Sequence, residues 1–152
     1  MRIRASDVAA ATGGTLSGPD VEVDGASFDS RSLRPGQLFV PIVAERDGHD
    51  FIDAALAAGA AAYLTSREPR AGTAIEVPDT SRALMQLAAW ARGRLHAQVV
   101  GITGSVGKTS TKDLVAGAVA TGLRVAANER SFNNEQGLPV TILGASDDTE
   151  VL

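Results

Sequence analysis

The stretch Gln98-Val99-Val100-Gly101-Ile102-Thr103-Gly104-Ser105-Val106-Gly107-Lys108-Thr109-Ser110 decides the fold. Gln98 to Thr103 is a short apolar run suited to a buried parallel strand. Glycines at 104 and 107 then let the backbone curl, and a helix is expected from about Lys108 to Ala120, stopped by Gly122. Leu123 to Ala126 reads as the next strand, which completes a strand, loop, helix, strand unit. Such a loop turns successive N–H groups inward, where together with the positive end of the helix they suit phosphate oxygens. Thr103, Gly104, Ser105, Val106, Gly107, Lys108, Thr109 and Ser110 are therefore the candidate nucleotide-binding residues. Lys108 is placed to reach the outer phosphates, and Thr109 to offer its hydroxyl to Mg²⁺. By chance, G-x-x-G-K-[ST] would occur roughly 0.003 times in a chain of this composition. The strict pattern G-x-x-x-x-G-K-[ST] fails, because its first glycine falls on Ile102 while Gly101 lies one position too early.

Cation usage sharpens this reading. Twelve arginines and two lysines occur, and both lysines, Lys108 and Lys112, lie within five residues. A compact ammonium is wanted there in place of a planar guanidinium. Lys112, one turn after Lys108, reads as an exposed helix cation.

Upstream, Ser6 to Thr12 reads as a helix capped by Ser6 and stopped by Gly13-Gly14. Val21 to Asp24, Ala26 to Asp29 and Leu38 to Val43 read as extended, with Pro41 demoting the last to an edge or a strand end. A helix from Phe51 to Ala58 is capped by Asp50. Ala61–Leu64 and Ala74–Val77 are strands, and a helix capped by Asp79 or Thr80 runs to about His96. Alternating strands and helices give an α/β unit over residues 1–96. Downstream, Pro139 sits in the first turn of a helix through Leu143, and Thr149 to Leu152 begins a strand. A second unit of two or three strands leaves apolar sheet edges open, so residues 97–152 are expected to be the truncated start of a parallel-sheet domain.

The 152 residues, 44% hydrophobic and 21% charged, have globular composition, and with 4% aromatics the core must be alanine and aliphatics. No run approaches the roughly 18 apolar residues of a membrane span, and the start lacks a signal peptide's apolar stretch, so a cytoplasmic chain without membrane insertion is expected. No cysteine is present, which excludes disulfides, a thiol nucleophile and thiolate metal sites. A formal charge of −4 and a pI near 5.1 argue against nucleic-acid binding through bulk positive charge. His49, between Gly48 and Asp50, reads as structural. Trp90 reads as packing.

Five segments resemble the Mur ligase family, ATP-dependent amide ligases of peptidoglycan synthesis: Phe28-Asp29-Ser30-Arg31, Pro35 to Pro41, Asp47 to Phe51, Gly101 to Asp113 with its T-G-x-x-G-K-[ST] loop, and Ser131 to Thr141. The last, with Phe132-Asn133-Asn134-Glu135, is most similar to the branch that adds D-alanyl-D-alanine. The resemblance implies an N-terminal mixed α/β domain, residues 1–96, that holds a UDP-linked precursor, and the beginning of a central P-loop domain, residues 97–152, that holds ATP with Mg²⁺. It makes Ser30 and Arg31 candidates for UDP contacts, although Asp29-Ser30-Arg31 could equally only shape a turn. Asn133 and Asn134 become candidates for the nucleotide site. The implied partners are UDP-N-acetylmuramoyl-tripeptide and D-alanyl-D-alanine, joined through an acyl phosphate, with Lys108 as the catalytic cation. By itself this fragment is expected to bind the UDP moiety weakly and ATP poorly, and not to ligate. A sister ligase adding the third amino acid and a non-ligating P-loop module stay open as alternatives.

Overall fold

Arg2 to Arg4 alternates outward arginines with inward Ile3, and this two-residue period forms β1 (Arg2–Arg4) in the computed structural model, which describes residues 1–128 and 136–152. β1 pairs antiparallel with β3 (Glu22–Asp24). A five-stranded sheet follows in the order β2 (Thr15–Ser17), β7 (Ala74–Glu76), β6 (Ala62–Thr65), β5 (Leu38–Phe39), β4 (Ala26–Ser27). Only β2 runs antiparallel to its neighbour. β1 and β2 were not expected, and the M-R-I-R alternation was the signal available for the first.

Both faces of this sheet are covered, as parallel strands require. Leu38, Ala62, Leu64 and Ile75 face one core, built with α1 (Ala5–Thr12) and α3 (Thr80–Arg94). Phe39, Tyr63 and Ala74 face the other, with Ile52 and Ala55 of α2 (Ile52–Ala57). Adjacent residues of one strand therefore serve opposite cores, which is why β6 is buried at all four positions. Ala5, Ala55, Ala62, Ala74 and Ala91 are fully enclosed, so small side chains let helices approach the sheet closely in a core poor in aromatics. α5 (Gly137–Gly144) packs against α3 and β4, and its Leu143 joins the first of these cores. The Met1 α-ammonium donates to the Ala145 carbonyl at 2.6 Å.

Several expected boundaries move for identifiable reasons. α1 begins at Ala5, with Arg4 and not Ser6 at the cap position, because the Asp20 carboxylate accepts from the Ser6 amide at 3.0 Å and Asp7 accepts from the Arg4 amide. A carboxylate fourteen residues away thus takes the role assigned to the local hydroxyl. Likewise Asp47, not Asp50, caps the next helical segment, accepting from the His49 amide, and a 3₁₀ turn over Gly48–Phe51 precedes α2. Gly48 is required there, since a Cβ would lie 2.5 Å from the Ile42 nitrogen. Pro41 marks a strand end, as β5 stops at Phe39 and lies inside the sheet. Asp79 caps α3 as expected, accepting from the Ser81 and Arg82 amides.

The second unit centres on α4 (Lys108–Val119) and three extended segments. Val151 bridges in parallel to both Gln98 and Val125, so the last segment lies between the two earlier ones. Backbone bonds from Gln98 and Val100 to Glu150 and Leu152 on one side, and from Ala126 to Val151 on the other, fix this order. The expected strand at 98–103 is paired only at 98–100, and Val99 and Val100 are half exposed, contrary to the buried strand expected. α4 itself has no buried residue, and Leu114 is 75% exposed. Among the described residues no helix is long and apolar enough to cross a membrane.

His49 ties the first unit's loops together and is 1% exposed. Its Nε2 lies 3.0 Å from the Ser66 amide, which can only donate, so the ring proton sits on Nδ1, 2.6 Å from Asp47 Oδ1. His49→Ala leaves the Ser66 amide and one Asp47 oxygen without this partner and is expected to cost about 2–3 kcal/mol, read from urea unfolding. The His49 amide first, and then its ring, hold the Asp47 carboxyl below its ordinary 3.8. Because the folded value is the lower one, this contribution is complete above about pH 4 and is lost as pH falls through the folded value. The stability gap between the wild type and Asp47→Asn is thus expected to be constant from pH 7 down to about pH 4 and to narrow as pH falls further, in the same unfolding measurement.

Candidate nucleotide and precursor sites

Gly104 has φ 150° and Gly107 φ 80°, backbone that L side chains rarely adopt, and Gly107 stands at the N-cap of α4. A Cβ on Gly107 would meet nothing within 4 Å, and one on Gly104 only the Val106 carbonyl at 3.7 Å. Conformation, then, and not crowding by this chain requires glycine at both places. The amides of Gly104, Ser105, Val106 and Gly107 donate to no acceptor among the described residues. They sit at the start of a twelve-residue helix whose first turn adds further N–H groups without intrahelical partners. The turn is therefore a set of exposed donors beside a positive helix end, which suits a polyanion.

Lys108 Nζ donates to the Gly104 carbonyl at 2.5 Å, which brings the ammonium back across the loop. Thr109 and Ser110 are exposed in the first turn of α4. The structure thus brings together all eight residues from Thr103 to Ser110. This donor set fits a magnesium nucleotide: amides and one ammonium for phosphate oxygens, and a hard hydroxyl oxygen on Thr109 for Mg²⁺. Asn133 and Asn134 lie outside the described residues. Lys112 departs from its reading as an exposed cation: its side chain is 19% exposed and its Nζ donates to the Asn128 carbonyl at 2.6 Å. Sequence spacing placed it on the Lys108 stripe, but the burial comes from chain folding back near Asn128, which spacing does not encode.

Ser30 and Arg31 sit in the turn that leaves β4. Asp29 organises it, accepting from the Arg31 amide at 3.0 Å and from Arg31 Nε and Nη2 at 2.9 and 2.7 Å. That fork from Arg31 holds the Asp29 carboxyl below the usual range. The turn-forming reading is therefore realised, while the Arg31 side chain remains 88% exposed and able to meet a ligand. β4, β5, β6 and β7 are parallel, so the chain leaving their carboxyl ends forms one rim. Asp29 to Arg31, Asp47 to Asp50, and Ser66 with Arg67 all belong to that rim, and Arg67 pairs with both Asp47 and Asp50. Carboxyl ends of parallel strands are where open α/β sheets bind ligands, and the loop at Gly104 holds the same place in the second unit. The Asp47–Arg67 part of the rim was not singled out from the sequence, since its partners lie twenty residues apart.

A cleft of about 400 Å³ opens at the amino ends of the second unit's segments, lined among others by His96, Arg124 and Glu150. Arg124 is already paired there with Asp148 and Glu150. Among the described residues no group of three or more His, Cys, Asp or Glu side chains could hold a metal.

No protein-family model matches the chain. Curated relatives do. The UDP-N-acetylmuramoyl-tripeptide–D-alanyl-D-alanine ligase of Bacillus subtilis is 42% identical over 146 residues, covering 91% of this chain and 32% of the relative. The enzyme of the same name from Escherichia coli K12 is 41% identical over 136 residues, covering 86% of this chain and 29% of the relative. Among solved structures, a MurF crystal structure from Acinetobacter baumannii superposes with TM-score 0.87 at 27% identity, over 99% of this chain and 35% of that one. MurF from Thermotoga maritima in complex with ADP gives 0.69 at 34% identity, over 85% of this chain and 31% of that one. The chain spans about a third of the length of the relatives it matches. In sequence and in fold, the chain matches the N-terminal region of the MurF ligases.

Proposed function

We propose that this chain forms the precursor-binding part and the phosphate loop of a cytoplasmic, ATP-dependent amide ligase. That ligase joins D-alanyl-D-alanine to UDP-N-acetylmuramoyl-tripeptide in peptidoglycan synthesis. The observation that carries the reading is the turn at Gly104 to Gly107, whose amides have no described protein acceptor and open the helix that bears Lys108 and Thr109. The names of the relatives supply the two substrates, and the Thermotoga structure in complex with ADP supports an adenine nucleotide as a ligand.

In this reading residues 1–96 hold the UDP precursor and residues 97–152 begin the ATP-binding domain. Thr103 to Ser110 bind and orient the phosphates through main-chain N–H groups. Lys108 is the catalytic cation, stabilising charge on the transferred phosphoryl group, and Thr109 supplies a hydroxyl to Mg²⁺. Mg-ATP, when bound, supplies the phosphoryl group that activates the precursor's terminal carboxylate for attack by the amine. Positioning is the protein's main contribution to such chemistry, so the two carboxyl-end rims must face the same precursor, one at its UDP end and one at its carboxylate. Ser30 and Arg31 contact the UDP end: Arg31 is held by one face of Asp29 and keeps N–H groups for a diphosphate.

Isothermal titration of the chain with UDP-N-acetylmuramoyl-tripeptide and, separately, with Mg-ATP tests both halves. Precursor binding that is lost about tenfold in Arg31→Ala is expected, the worth of one charge-assisted contact. Indifference of the titration to Arg31 would remove that residue from the site. In the ligase that carries this region, Lys108→Ala is expected to reduce turnover by about 3 kcal/mol of transition-state stabilisation or more, a factor above about 100. Near-normal turnover would overturn the assignment. A substrate panel that favoured a single amino acid over D-alanyl-D-alanine would instead point to a sister ligase.

A further inference from the structure

Lys108 and Lys112 are one helical turn apart on α4, so their side chains rise along one stripe. They end on two different loops. Lys108 Nζ reaches the Gly104 carbonyl and Lys112 Nζ the Asn128 carbonyl, at 2.5 and 2.6 Å. Gly104 and Asn128 belong to the chain leaving the carboxyl ends of the 98–100 and 124–126 segments, the two that flank Val151. One helix face therefore holds the walls on both sides of the central segment.

The surroundings of Lys112 suit this task. Its stem lies in an apolar groove shared with Val100, Ile102, Val115, Ala116 and Ala127, while the ammonium emerges at Asn128. Asp113 Oδ1, 2.7 Å away, supplies a carboxylate partner. A charged donor in a partly buried groove binds a carbonyl more tightly than a neutral donor in water. A guanidinium is wide and planar where the ammonium is compact, which gives a physical reason for lysine here in a chain that otherwise uses arginine.

We infer that Lys112 is a positioning residue of the nucleotide site. Its ammonium fastens the chain at Asn128 to α4 and so sets the second wall of the carboxyl-end crevice at a fixed distance from the phosphate loop. The inference rests on the nucleotide reading of that loop. Lys112 touches no phosphate in this scheme and acts through the Asn128 carbonyl.

The test uses the 152-residue chain with Lys112→Met, which keeps the apolar stem, and Lys112→Arg, which keeps the charge. In the wild type, an amine-acetylating reagent followed by mass spectrometry is expected to modify Lys112 about tenfold more slowly than Lys108, in line with its enclosure. A fluorescent ADP analogue is expected to slow Lys108 further. Lys112→Met is expected to bind the analogue about tenfold more weakly, the worth of one charge-assisted bond, and Lys112→Arg not to restore that affinity. Equal acetylation of the two lysines, wild-type affinity in the Met variant, or full affinity in the Arg variant would each overturn the inference, the last by showing that charge alone suffices. If the wild type binds no analogue, the phosphate-loop reading fails instead. The fastening is then decided separately by amide exchange over residues 126–128, expected to be faster in Lys112→Met and overturned if unchanged.

Discussion

A backbone that turns through left-handed glycine conformations at the mouth of a helix leaves a row of N–H groups with no acceptor among the described residues. Every functional statement about the second unit depends on that row. The cost is local: Gly104 and Gly107 give up the ordering a side chain would supply, and several donors stay outside any ladder. What offsets it is the frame beneath, where the segment before the loop is hydrogen-bonded to Glu150 and Leu152 and the helix after it begins at once. A loop held at both ends in this way presents its donors in a fixed array, and electrostatic stabilisation works best when no reorganisation is needed.

The first unit solves a related problem with different means. Its sheet is parallel over four strands, so the loops at their carboxyl ends gather on one rim, and short polar side chains there fix the loops to one another. Asp29 holds Arg31, and Asp47 holds both His49 and Arg67. These carboxylates act as local organisers. Asp47 accepts from a backbone amide, an imidazole and a guanidinium at once, which makes it the common point of loops separated by about twenty residues in sequence. His49 is a buried joint whose second nitrogen accepts from the Ser66 amide.

Legibility from sequence followed the range of the interaction involved. The helix at Lys108 and its glycine loop were readable because capping, dipole and turn chemistry all act within a few residues. So was the cap at Asp79. Where a partner comes from far along the chain, local reasoning failed. Asp20 took the cap from Ser6, and Lys112 was drawn under cover by the chain at Asn128. Val99 and Val100 were assigned to a buried strand on their apolarity, yet burial depends on how many layers surround a strand, which periodicity does not report. Ser30 and Arg31 illustrate a middle case: the turn was legible, whereas the rim it belongs to came only from the parallel strand order.

The placement of Val151 between Gln98 and Val125 bears on how the molecule is made. Synthesis runs from the amino to the carboxyl end, and the outer two segments of the second unit gain their shared lateral neighbour only when Glu150 to Leu152 emerges. The five-stranded sheet can thus assemble while the turn at Gly104 is still unframed, so the two carboxyl-end rims form in succession.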